Sequence, residues 1–174
     1  QVTDYFIASL VVYILAWSPL LILKFYEFIN EVAFYGAAIS LTIIINFVYV
    51  SIINLYASEF AILYNNNDIK MLQKKVSESV FLMTFFSFPI LLILIFFSDQ
   101  IINLFYGNEY VEMNKILIII LVAEFICIVL GPSNMILAMT EFSFVNTKIF
   151  LFFMILAIVL LLLIVPSQGL FGAV

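Results

Sequence analysis

The sequence contains no histidine and no arginine, and all six of its basic residues are lysine. The commonest general base and metal ligand is therefore absent, and so is the side chain best shaped to fork a phosphate. The one cysteine, Cys127, sits in an apolar run and has no second thiol with which to form an intrachain bridge. No nucleophile–base pair, metal-ligand cluster or phosphate-cradling loop is present. The sequence thus points to no catalytic site, no metal, no cofactor and no enzyme activity. Charge is scarce as well: 10% of the 174 residues are charged, with a net charge of −5. A water-soluble domain carries about a quarter charged residues, and an acidic chain is a poor partner for nucleic acid.

What fills the chain is hydrocarbon, with 67% hydrophobic residues, 20 of them phenylalanine. Five runs are long enough to cross a bilayer, which takes about 20 apolar residues. They cover roughly 5–23, 32–64, 79–97, 116–139 and 149–165, and a sixth begins near Gly169. The second is longer than a bilayer requires, so it should tilt or project into water. The runs are continuously apolar rather than alternating, so the predicted fold is an all-α polytopic transmembrane helical bundle and not a barrel. Pro19, Pro89, Gly131–Pro132 and Pro166 fall in or at the ends of these runs, as kinks or hinges. The chain has no initiator methionine and stops at "GLFGAV", like the first turn of another helix, so it is expected to be a piece of a longer polytopic protein.

The lysines orient the bundle. Lys70, Lys74 and Lys75 lie in the second connection and Lys148 in the fourth. Positive-inside counting puts the connections near 65–78 and 141–148 in the cytoplasm, and the first, third and fifth outside. The spacing of Ile69, Leu72 and Val76 makes Asp68–Glu78 either a short interfacial helix or an extension of the third span. The third connection, "DQIINLFYGNEYVEMN", is an outer-face segment. Ile101, Ile102, Leu104 and Phe105 are expected to dip into the interface, with Tyr106 and Tyr110 at headgroup level and the turn at Gly107.

Polar residues at membrane depth are the functional candidates. Glu124 lies in "LIIILVAEFICIVLG", far from any charge, and is the candidate for binding a coupling proton or sodium ion. The second run carries Ser40, Thr42, Asn46, Ser51, Asn54 and Glu59. Asn46 and Asn54 are close to two turns apart and share a face. Asn46, Ser51, Asn54 and Asn134 are the candidates for lining a cavity, and Gly131 and Pro132 for a hinge. Interhelical hydrogen bonding explains the same residues without transport.

Four blocks in order carry a resemblance: "NEVAFYGAAISL" (Asn30–Leu41), "INLFYGNEYVEMNKILIII" (Ile102–Ile120), "GPSNMILAMTEF" (Gly131–Phe142) and "VPSQGLFGAV" (Val165–Val174). Together they resemble the polysaccharide-export flippases of the multidrug/oligosaccharidyl-lipid/polysaccharide exporter superfamily. The resemblance implies one lobe of a two-lobe transporter in the cell membrane, from the C-terminal half, with an N-terminal half of the same chain as its partner. It also implies alternating-access transfer of a lipid-linked saccharide across the membrane. A cation-coupled multidrug exporter of the same superfamily and a non-transporting membrane scaffold are the alternative functions.

Overall fold

The computed structural model describes residues 2–26, 28–139 and 143–174. Seven α-helices carry the described residues: α1 (Val2–Phe25), α2 (Ile29–Asn65), α3 (Ile69–Phe96), α4 (Ser98–Phe105), α5 (Asn114–Leu130), α6 (Ser133–Met139) and α7 (Ser143–Gln168). Two 3-10 turns, Asn108–Met113 and Gly169–Ala173, lead into α5 and follow α7, and no strand occurs among the described residues. Stretches within Phe6–Phe25, Ile29–Asn65, Ile69–Phe96 and Phe144–Ala173 are long and apolar enough to cross a membrane. The protein is an all-α membrane helical bundle.

The helices sort into a trio and a pair. α2, α3 and α5 pack on one another, and α1 packs chiefly on α7, with the final 3-10 turn and α6 bridging towards α2. α2 and α5 begin at the same end, where Phe34 meets the Tyr110 ring edge-on at 5.2 Å. α7 finishes at that end too, with Gly169 against Glu31. The α2–α3 turn lies at the opposite end. Hydrocarbon tails are as apolar as leucine, so the hydrophobic effect contributes little between these helices and close packing must hold them. Ala37 and Ala38 bring the α2 backbone near its neighbours, while Ile45, Met83, Leu117 and Leu121 are buried between the helices of the trio.

Lengths explain what leaves the membrane. At about 1.5 Å per residue α2 is roughly 55 Å long and α3 roughly 42 Å, against a hydrocarbon core of about 30 Å. The stretch left open between an interfacial helix and an extension is the start of α3, where Asp68 caps the helix by accepting from the Met71 amide (3.1 Å). The two projecting ends are tied by one ammonium. Lys75 Nζ lies 3.4 Å from both Glu59 and Glu78 and over the Tyr56 ring. Glu59, grouped by sequence with the membrane-depth polar residues, belongs to this tie near the α2–α3 turn.

Each helix-interior proline leaves the carbonyl four residues back without its donor. Pro19 frees Leu15, and the adjacent Ser18 hydroxyl donates to that oxygen at 2.9 Å. Pro166 frees Leu162, and Tyr26, beyond the end of α1, donates to it at 3.4 Å. The run 116–139 is not one helix. α5 stops at Leu130, Gly131 takes φ +81°, and α6 starts after Pro132. The break is crowded: a Cβ on Gly131 would lie 2.8 Å from Val80 Cγ2.

The third connection differs from expectation. Its first half is helical (α4), and Ile102 is fully buried in the protein instead of dipping into the interface. Leu104 and Phe105 are the exposed pair. Tyr106 packs against Tyr110 at 5.5 Å and donates to Ala37 O at 3.5 Å, which ties the connection to α2.

Candidate functional site

The parallel packing of α2 and α5 sets one polar pair inside the trio. Asn46 and Glu124, both half-buried, face each other closely enough for their side chains to interact. One turn further along each helix, Tyr49 and Cys127 lie within electrostatic range of each other, so the register is shared over consecutive turns. Tyr35, buried on α2, lies within range of the Glu124 charge. A primary amide suits a carboxyl group in both protonation states. Its N–H can donate to the carboxylate, and its carbonyl can accept from the acid.

The other candidates separate from this pair. Ser51 is half-buried and Asn54 is exposed, so α2 presents Asn46 and Asn54 to different surroundings. Ser40 and Thr42 donate to the Gly36 and Ile39 carbonyls of their own helix (2.8 Å each). That return to the backbone satisfies them without a partner helix. Gly131 and Pro132 form the α5–α6 break. The side chain of Asn134, in the first turn of α6, lies outside the described residues, as do Thr140, Glu141 and Phe142 of the block that ends there. Cys127 is exposed on α5. No group of three acidic or thiol side chains is placed to hold a metal among the described residues.

Three of the cavities lined by described residues accompany this arrangement. One of ≈ 430 Å³ lies between the pair and the trio, with Ser18 and Pro19 of α1 facing Tyr35 of α2 and Ala157 of α7. One of ≈ 510 Å³ is walled by Phe81, Phe85, Phe86 and Phe88 around Pro89. The third, of ≈ 550 Å³, opens at the end where α2 and α5 begin and carries Glu31, Asp99, Asn114 and Lys115. The sequence shows no sign of this last cluster, because its members are spread over three elements and look like ordinary loop charges. A missed signal does exist for the proline repairs, since Ser18 directly precedes Pro19.

A family model described as "Polysaccharide biosynthesis protein" matches residues 61–115, which run from the end of α2 through α3, α4 and the 3-10 turn into α5. No curated protein and no solved structure gives a significant match to the chain. Over those residues this membrane helical protein is similar to proteins of polysaccharide biosynthesis.

Proposed function

We propose that the chain is part of a membrane flippase that moves a lipid-linked saccharide across the cell membrane by alternating access. The observation that carries the reading is the match of 61–115 to the polysaccharide biosynthesis family in a chain with four membrane-length helices. The saccharide is too polar for hydrocarbon and its lipid tail too apolar for water, so a cleft between two rocking lobes can carry the head while the tail stays in the bilayer. This bundle would be one lobe and an N-terminal half of the same protein the other, with no covalent chemistry. The Asn46–Glu124 pair supports coupling to a proton or sodium ion, and it equally favours a second reading, a cation-coupled multidrug exporter.

Deleting the gene separates the two. The flippase reading expects lipid-linked saccharide to accumulate with its sugar on the cytoplasmic face, and wild-type protein to reverse this. Normal glycan distribution with increased drug sensitivity would select the exporter instead. Neither defect would leave the scaffold.

Orientation is part of the proposal. Lys70, Lys74 and Lys75 lie at the α2–α3 end, and α7, running back to Glu31, starts at that end with Lys148. Four lysines at one end support a cytoplasmic location for it. Single cysteines at Asn66 and Gly107, in a background lacking Cys127, are expected to label from opposite faces, Asn66 from the cytoplasm. Labelling of both from one face would contradict the crossing of α3.

A further inference from the structure

The cleft of ≈ 430 Å³ between the pair and the trio is walled almost wholly by hydrocarbon from α1, α7 and the final 3-10 turn. Its wall carbonyls already have hydroxyl donors. Leu15 O accepts from Ser18 and Ile164 O from Ser167, at 2.9 Å each. Tyr35, on the α2 side, is the exception. It is 8% exposed and lines the cleft, yet its hydroxyl donates to no acceptor among the described residues. Unlike the Ser87 hydroxyl, it is not sealed in protein. A buried tyrosine hydroxyl usually finds a partner, so this one calls for an acceptor supplied within the cleft.

Depth says which acceptor. Tyr35 lies six residues after Ile29, the start of α2, or roughly 9 Å along the helix. A helical side chain leans back towards the N-terminus, here towards the membrane surface. The hydroxyl is thus near the boundary between headgroups and hydrocarbon. Ala157, deeper in the cleft, lies eleven residues before Gln168, the end of α7, or roughly 16 Å. That is about half of a 30 Å hydrocarbon core, the depth of one leaflet. We infer that the cleft binds one acyl chain of a membrane glycerolipid, from the leaflet at the end opposite the lysines, with its ester carbonyl accepting from Tyr35. In a glycerolipid that carbonyl sits at the top of the hydrocarbon layer and the chain runs one leaflet deep. A lipid carrying a diphosphate fits less well, because phosphate calls for cations and no lysine lines the cleft. Close packing, not hydrophobic driving force, holds membrane helices together. A chain in this cleft therefore acts as packing shared by the pair and the trio, whatever the protein transports.

The test uses the full-length protein, stripped of lipid in detergent and titrated with three probes. These are dioleoyl phosphatidylcholine, its ether-linked analogue, which lacks both carbonyls, and a polyprenyl diphosphate. Native mass spectrometry counts the bound lipid. The diester is expected to bind saturably as one molecule, and roughly five- to tenfold more tightly than the diether, the worth of one hydrogen bond. Tyr35→Phe keeps the ring and should erase that difference. Its unfolding midpoint without lipid should match wild type, since the hydroxyl has no protein partner to lose. Ala157→Phe fills the floor of the cleft and should abolish the site; if it does not accumulate, Tyr35→Phe decides alone. Absence of saturable binding, equal affinity for diester and diether, or a preference that survives in Tyr35→Phe overturns the inference. So does tighter binding of the polyprenyl diphosphate, or unchanged binding by a folded Ala157→Phe.

Discussion

Glu124→Leu is expected to destabilise the bundle by about 1–3 kcal/mol, because the half-buried Asn46 amide loses its partner. Asn46→Leu orphans Glu124 in the same way. If the two side chains act as a unit, the double variant Asn46→Leu/Glu124→Leu costs less than the sum of the single changes. Unfolding in mixed micelles reads the three variants, and strict additivity would show that the hydrogen bond contributes nothing. Glu124→Gln separates packing from coupling. It keeps the shape and can still bond Asn46, but it cannot titrate. If Glu124 carries the coupling ion, the Gln variant accumulates normally and its transport no longer follows the ion gradient. Gradient-dependent transport at the wild-type rate would remove Glu124 from the mechanism and leave it an interhelical tie.

The second large effect is expected at the α5–α6 break. Gly131 has φ +81° and ψ −174°, a region that essentially only glycine occupies. Gly131→Ala forces an L residue into it at a cost of about 1–3 kcal/mol. The added methyl also meets Val80 Cγ2 at 2.8 Å. Val80→Ala can relieve the contact but not the backbone. Gly131→Ala should therefore be more harmful in the wild-type background than in Val80→Ala, and harmful in both. Equal costs in the two backgrounds would mean that α3 gives way freely at Val80.

Most of the fold was legible from hydrocarbon alone. Runs of apolar residues with no alternation leave the helix as the one structure that satisfies their backbones in lipid. Boundaries were less legible where two helices pass beyond the bilayer, because Lys70, Lys74 and Lys75 interrupt the apolar pattern without interrupting α3. In sequence Ile102 groups with its neighbours Leu104 and Phe105, and a single turn of α4 sends it inward while they stay exposed. Glu124 was visible as a lone carboxylate, and Asn46 as one of several polar residues on α2. Nothing in the spacing separates Asn46 from Asn54, since which one meets Glu124 depends on the packing of α5, a tertiary fact. Gly131–Pro132 was visible as a weak point. The Glu31–Asn114 cavity was not, because local sequence carries no information about which helix ends converge.

The hydroxyl of Tyr26 that caps Leu162 joins residues 136 positions apart. The order of synthesis gives that bond a meaning. Of the seven helices, α1 is made before the others, and its main packing partner, α7, after them. α2, α3 and α5 come between and can dock on one another as they insert, each against a helix already present. The face that α1 gives to α7 therefore stays without that partner until α7 is made, and among these seven helices the α1–α7 clasp closes last. Ser18, which repairs the Leu15 carbonyl from within α1, keeps the bend at Pro19 satisfied throughout that wait. The freed carbonyl of α7 has no such local remedy until Tyr26 reaches it, so the late helix acquires its complete set of backbone hydrogen bonds only on assembly.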